Sequence, residues 1–196
     1  MNIVDLTCKK SVSFSKNYNT IRVCKQILLL GGYHQYLSFL YFDLPPYSSI
    51  KKLVHAKLIL FKQPMSQCNT PDLPCNCQKE CCHHYVAVPL LEFFSTYSRL
   101  YQVPKADYSK QVVFHDDECL CYTEIDITAI VQDWKNGSME NRGLLLIGDD
   151  CNKPICYASE KNMNKTMIPI IRLIYEENAC CLGLSSTPCV VDIKEF

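Results

Sequence analysis

Residues 52–62 of the chain read KLVHAKLILFK, and this stretch decides the fold. Every second side chain in it is apolar, namely Val54, Ala56, Leu58 and Leu60, whereas the positions between them include histidine and lysine. Successive side chains of a strand point to opposite faces of a sheet. The alternation therefore predicts a long strand that turns these four side chains towards a core.

Short segments rich in aromatic and β-branched residues recur along the rest of the chain, with proline, glycine or asparagine between them. They predict strands at residues 34–43, 85–88, 111–114, 120–127, 143–147, 155–158 and 168–175. Many short strands separated by turn signals are typical of an all-β sandwich. We predict a jelly-roll-like β-sandwich with one short helix and with N- and C-terminal extensions.

The one predicted helix follows the strand at 120–127. Thr128 is its expected N-cap and Gly137 its expected C-terminal stop. Ile130 and Trp134 share a face at helical spacing. Because a helix of about two turns is unstable alone, we expect Trp134 to plug one end of the sandwich.

The sequence divides into three parts. Residues 1–24 are predicted as an N-terminal extension with the first strands, and residues 25–175 as the sandwich core. Inside the core, residues 63–84 form a loop rich in proline and cysteine, without periodicity. Residues 176–196 are predicted as a cysteine-containing tail, whose segment 189–194 reads as one more strand without a partner inside the core.

Charge and motifs exclude several classes of function. The formal net charge is zero, which argues against a nucleic-acid partner held by phosphate neutralisation. No apolar run of about eighteen residues occurs, so no membrane span is expected. Neither G-x-S-x-G, H-E-x-x-H nor a phosphate-binding glycine loop is present in the sequence. We therefore predict no enzyme, no catalytic residues and no cofactor.

Five segments, in this order, resemble the DNRLRE domain family. They are residues 36–44 (YLSFLYFDL), 124–134 (EIDITAIVQDW), 141–146 (NRGLLL), 157–160 (YASE) and 169–175 (PIIRLIY). The resemblance covers roughly residues 1–175. It implies a jelly-roll-like sandwich of extracellular or cell-surface character, and some members of the family are classed as carbohydrate-binding modules.

Fourteen cysteines in 196 residues approach the content of a disulfide scaffold. Disulfides persist in oxidising compartments, yet the first residues, MNIVDLT, resemble no secretory signal peptide. Two expectations follow. The thiols either stay reduced or bind metal inside a cell, or the protein is made inside and oxidised later, at an extracellular or spore surface, without a classical signal peptide.

Cysteines inside the predicted core are candidates for intramolecular disulfides. They are Cys68, Cys75, Cys77, Cys81, Cys82, Cys151 and Cys156. Zinc is an alternative for part of this set, because thiolates and imidazoles are its preferred ligands. Its candidate ligands are Cys75, Cys77, Cys81 and His83, whose spacing differs from paired C-x-x-C knuckles.

Cysteines near the chain ends are poorly placed to staple a core and well placed to reach a second copy. Cys119 and Cys121, two residues apart on a predicted strand, face the same way and cannot bond each other without strain. The predicted candidates for intermolecular disulfides are Cys8, Cys24, Cys119, Cys121, Cys180, Cys181 and Cys189.

The leading hypothesis is a structural subunit that assembles with copies of itself, head to tail, into an extracellular or spore-surface fibre or coat. Strand addition would join the copies, with other surface proteins or polysaccharide as further partners. The predicted donor strand is Cys189, Val190, Val191, Asp192, Ile193 and Lys194. A surface carbohydrate-binding module and a zinc-stabilised intracellular binding protein are the alternatives.

Overall fold

The computed structural model describes residues 1–15, 25–32, 36–45, 51–64, 84–96, 102–117, 119–148 and 154–177, except for the side chains of Lys51 and Glu177. The strands in these ranges are β1 Asn2–Thr7, β2 Lys10–Ser15, β3 Ile27–Leu30, β4 Tyr36–Tyr41, β5 Lys51–Phe61, β6 His84–Pro89, β7 Val112–His115, β8 Tyr122–Asp126, β9 Leu144–Gly148, β10 Ile155–Ala158 and β11 Ile170–Glu177. One α-helix, α1, spans Thr128–Asn136, and 3₁₀ turns span Tyr108–Lys110 and Lys165–Met167.

Two antiparallel sheets form the faces of a sandwich. The four-stranded sheet has the order β1-β11-β5-β8, and the five-stranded sheet has the order β2-β4-β9-β6-β7. A third sheet pairs β10 with β3. The main apolar cluster is made of inward side chains from both large sheets. The prediction of an all-β sandwich with one short helix is confirmed. Within the described residues, no helix has the length and apolar character needed to cross a bilayer.

Strand β5 confirms most of the alternation that predicted it. Ala56, Leu58 and Leu60 are fully buried. Val54 is only half-buried, and Leu53 is buried in its place. A bulge shifts the pairing of β5 with β11 by one residue at this point. Because of this shift, Leu53 faces inward in place of Val54.

Strands β2 and β4 contain serines at inward positions, and in β2 these serines hide the strand from a search for apolar alternation. Ser13 and Ser38 are buried, and their hydroxyls lie 2.5 Å apart. The Leu29 N–H donates to Ser13 Oγ, and Ser38 Oγ donates to the Leu29 carbonyl. The serines thus satisfy backbone groups of β3 that are buried against β2 and β4.

Residues 1–15, within the part predicted as an N-terminal extension with the first strands, contribute β1 and β2 to the sandwich. Only Cys8 and Lys9 separate β1 from β2, so one stretch of chain passes from the four-stranded to the five-stranded sheet. The Cys8 N–H donates to the Pro169 carbonyl and the Lys9 N–H to the Tyr41 carbonyl. These two hydrogen bonds hold the corner to both sheets.

The outer face of the five-stranded sheet is also apolar and buried. Phe14 and Phe39 lie there, with ring centroids 6.1 Å apart, and both are inaccessible to solvent. Phe94, which follows β6, packs on Phe39 with its ring centroid 5.5 Å away. The outer face of this sheet is therefore covered over β2, β4, β6 and β9.

Helix α1 packs against β5 and buries Trp134, as predicted. Gly137 ends the helix in the left-handed region, also as predicted. The predicted N-cap is wrong by one residue, because Thr128 is already helical and Ile127 occupies the N-cap position. The Thr128 hydroxyl instead donates to Asp126 and accepts from the Ala56 N–H of β5. This hydroxyl ties the helix to the sheet.

Replacing Gly143 by alanine should destabilise the fold far more than replacing Gly137. Both glycines have positive φ, +101° and +78°. A Cβ at Gly143 would collide with the Leu40 carbonyl, whereas a Cβ at Gly137 would meet nothing within 4 Å. We expect Gly137→Ala to cost roughly 1–2 kcal/mol of unfolding free energy and Gly143→Ala above ~3 kcal/mol. Urea denaturation measures both, and equal costs would contradict the collision.

Candidate functional site

The exposed thiols of Cys119 and Cys121 lie in the turn between β7 and β8. The predicted strand at 120–127 is shorter than expected, since β8 begins at Tyr122 and leaves both cysteines in the turn. The Cys119 N–H donates to Asp117 Oδ1 at 2.9 Å. The Cys121 carbonyl accepts from the Lys62 N–H at 2.9 Å. The turn is thus held in place while its thiols face solvent.

A polar network lies beneath this turn. Lys62 Nζ is 2.6 Å from Asp116 Oδ1, and both side chains are largely shielded from solvent, 16% and 14% exposed. Thr123 Oγ1 donates to Asp116 Oδ1 at 3.4 Å and lies 2.9 Å from the Tyr157 hydroxyl. Burial raises the pKa of Tyr157, so the phenol stays protonated and available as a donor. The network supports the turn from inside.

One end of the sandwich, here called the thiol end, carries the exposed cysteines Cys119 and Cys121. Cys119 and Cys121 lie there, next to Lys62 at the end of β5. In the sequence, residues 65–83 follow Pro64, which is two residues after Lys62, and they precede His84. His84 pairs with His115 beside the turn. Residues 149–153 begin after Gly148, which pairs with Tyr85 at the same end.

The opposite end, here called the tail end, is where β11 leads into residues 178–196. Tyr175 of β11 pairs there with Leu53 of β5 and with Asn2 of β1. Lys135 of α1 donates to the Tyr175 hydroxyl at 3.1 Å and lies 4.3 Å from its ring centroid. The nine residue steps of β5 from Leu53 to Lys62 separate the two ends by roughly 30 Å.

Cys8 is buried at the corner between β1 and β2, with 6% exposure. Its thiol donates to the Lys10 carbonyl at 3.2 Å and lies 3.6 Å from the Tyr41 carbonyl. Burial raises the pKa of Cys8 to about 12. An intermolecular disulfide through Cys8 would need this corner to open, so the structure argues against that predicted role.

Cys156 lies in β10 and is buried in a small apolar cluster with Ile27, Leu29 and Tyr36. Its predicted neighbour in an intramolecular disulfide, Cys151, lies outside the described residues. So do Cys24, Cys68, Cys75, Cys77, Cys81, Cys82, His83, Cys180, Cys181, Cys189 and the donor segment 189–194. Their predicted roles stay predictions. Within the described part of the chain, no three histidine, cysteine or acidic side chains are grouped to hold a metal ion.

The contact between His84 and His115 could not be predicted from the sequence. These residues pair across β6 and β7, and their ring centroids are 4.6 Å apart. Each histidine adjoins a predicted strand, at 85–88 and 111–114. The sequence pattern predicted both strands, but it did not predict that they pair with each other. The Lys62–Asp116 ion pair was missed for the same reason, because it joins residues far apart in the chain.

Comparison of the chain with protein-family models finds no match, and comparison with curated proteins finds no match either. The resemblance to the DNRLRE family therefore stays a prediction. The fold and the positions of the thiols are the observations from which a function can be argued.

Alkylation of the native protein should separate the thiols by burial. At pH 8, we expect iodoacetamide to modify Cys119 and Cys121 rapidly. Cys8 should stay unmodified until the protein unfolds, because it is buried and its pKa is about 12. Peptide mass spectrometry reads each site directly. Modification of Cys8 as fast as of Cys121 would refute the buried corner.

Lys62→Met should destabilise the fold by roughly 3 kcal/mol, because it leaves the shielded Asp116 carboxylate without its partner. Arg172→Met is the matched control. Arg172 forms a bidentate pair with Asp5 in which both side chains are 39% exposed, so its loss should cost below ~1 kcal/mol. Chemical denaturation measures both changes, and a cost for Lys62→Met no larger than the control would exclude a structural role for the network.

Proposed function

We propose that this protein is a structural subunit that assembles head to tail into a fibre or coat whose copies are linked by disulfides. One observation carries the proposal. Exposed thiols, those of Cys119 and Cys121, lie at the thiol end, whereas β11 ends at the tail end and is followed in the sequence by Cys180, Cys181 and Cys189. This arrangement suits a contact between the tail end of one copy and the thiol end of the next.

Such a contact uses two different surfaces, so it repeats without closing unless its rotation forms a ring. A chain of subunits is the expected product. Each link would form by two exchange steps with a small-molecule disulfide. A thiolate of one copy displaces one thiolate from the reagent, and a thiolate of the other copy then displaces the second. The two cysteines are oxidised, and the reagent is reduced to two thiols.

The proposal places assembly where disulfides persist, at an extracellular or spore surface. The cell-surface character of DNRLRE domains is consistent with this location, although it rests on the resemblance alone. It needs no catalytic reaction and no cofactor. The β-sandwich supplies a rigid body, and the cysteines supply the links.

Oxidised glutathione should convert the purified protein into a ladder of covalent oligomers. Non-reducing electrophoresis would show the ladder, thiol would collapse it to one band, and electron microscopy would show fibres or sheets. Replacing Cys180, Cys181 and Cys189 together by serine should abolish the ladder, because it removes the thiols of the tail. Cys8→Ser, the control, should keep the ladder, because Cys8 is buried.

The proposal fails if the oxidised wild-type protein stays a single chain in solution. It also fails if the triple serine variant forms the same ladder as the wild type, since the links would then bypass the tail.

A further inference from the structure

We infer that the open edge of β8 is the acceptor for residues 189–194 of a neighbouring copy, and that docking brings Cys189 beside Cys121, with which it forms the intermolecular disulfide. This inference rests on the proposed function and adds to it the acceptor edge and the disulfide pair. Among the described residues, β8 is the last strand of the four-stranded sheet and pairs with β5 on one side and with no strand on the other.

The hydrogen bonds between β8 and β5 show which backbone groups of β8 point away from β5. The Cys121 carbonyl accepts from Lys62, and the Ile127 N–H donates to Ala56. In an antiparallel pair, only alternate residues exchange hydrogen bonds with the partner strand. The odd-numbered residues 121–127 therefore face β5, and the backbone groups of Tyr122, Glu124 and Asp126 face the open edge. Such a row of donors and acceptors is a template for an added strand.

The side chains of β8 and its preceding cysteine share an alternation with the proposed donor. Residues 121–126 read CYTEID, and residues 189–194 read CVVDIK. In β8, Thr123 and Ile125 are buried, whereas Tyr122, Glu124 and Asp126 are exposed. In a parallel donor aligned cysteine to cysteine, Val191 and Ile193 would lie on the buried face and Asp192 and Lys194 on the exposed face. Val190 would lie on the exposed face, beside Tyr122.

In this alignment, charges favour the parallel register. Lys194 falls beside Asp126, whose carboxylate is exposed. Asp192 falls beside Glu124, but Glu124 is already paired with Lys57, with Nζ and Oε2 2.9 Å apart. Opposite charges on neighbouring strands stabilise their pairing, and like charges oppose it.

Chain direction favours a neighbouring copy over the same copy. Both β11 and β8 run from the thiol end to the tail end, since both are antiparallel to β5. A tail that continues in the direction of β11 into the thiol end of the next copy would run parallel to its β8. Within one copy, residues 178–188 would have to return roughly 30 Å to the thiol end, close to their maximum span of about 36 Å, and then reverse.

The edge of β1 is the competing acceptor. Ile3 and Val4 are exposed on β1, with 63% and 37% exposure, so this edge also has apolar side chains. However, the nearest thiol, that of Cys8, is buried. The edge of β8 follows directly on the turn with the accessible thiols of Cys119 and Cys121, at the end where Cys189 would enter.

Covalent mapping tests the disulfide pair. The protein is oxidised with glutathione disulfide, and its oligomers are digested without reduction and analysed by mass spectrometry. The expected result is a cross-linked peptide that joins Cys121 and Cys189. If oligomers form while Cys189 is joined to other cysteines, this inference is overturned and the proposed function stands. If no oligomers form, both fail.

Proline substitution tests the acceptor edge. Glu124→Pro removes an N–H that faces the open edge of β8 and leaves the hydrogen bonds to β5 intact. Ile3→Pro is the matched control, because the bond from the Cys8 N–H to Pro169 shows that the odd residues of β1 likewise face their open edge. We expect Glu124→Pro to lose the Cys121–Cys189 cross-link and Ile3→Pro to retain it, with both melting cooperatively.

A Glu124→Pro protein that forms the cross-link as efficiently as the wild type would overturn the assignment of the edge. If Glu124→Pro does not fold, Cys121→Ser replaces it as the deciding variant, because it leaves the backbone edge unchanged. Its oligomers should dissociate in denaturant without thiol, whereas covalent oligomers that survive denaturant would refute the pair.

Discussion

The backbone pairing of β5 with β11 on one side and β8 on the other is the constraint on which the rest of this structure depends. β5 is the longest strand among the described residues, and its register sets the positions of the whole four-stranded sheet. Because one strand runs from the tail end to the thiol end, it also sets the distance between them. The turn with Cys119 and Cys121 is joined directly to the end of this strand through Lys62.

Burial sorts chemically identical thiols into different roles. Cys8 satisfies carbonyl groups at the corner between two sheets, and removal from water keeps its thiol protonated. Cys156 fills space in an apolar cluster beside β3. Cys119 and Cys121 are held in a turn that exposes both. A cysteine count therefore indicates the capacity for disulfides, and tertiary position selects the residues that can use it.

Sequence patterns predicted strands where one face is apolar and the other polar, as in β5 and β8. They failed where the physical situation differs. Buried serines obscured β2, because inward residues such as Ser13 are polar, and Ser13 accepts a hydrogen bond from the Leu29 N–H. A bulge exchanged the roles of Leu53 and Val54. Alternation of apolar and polar residues predicts burial only where the strand register is regular and where no polar side chain is buried through hydrogen bonds.

The sequence by itself determined the all-β class, most of the strands, the short helix with its buried tryptophan, and the abundance of thiols, since these depend on local periodicity and composition. Only the tertiary structure decided which of the described cysteines are exposed, which residues meet at the thiol end, and that β11 ends at the opposite end. These properties depend on contacts between distant segments, such as Lys62 with Asp116 and Cys8 with Tyr41. The local sequence pattern does not predict such pairings, because the loops between the segments allow many different arrangements of the strands.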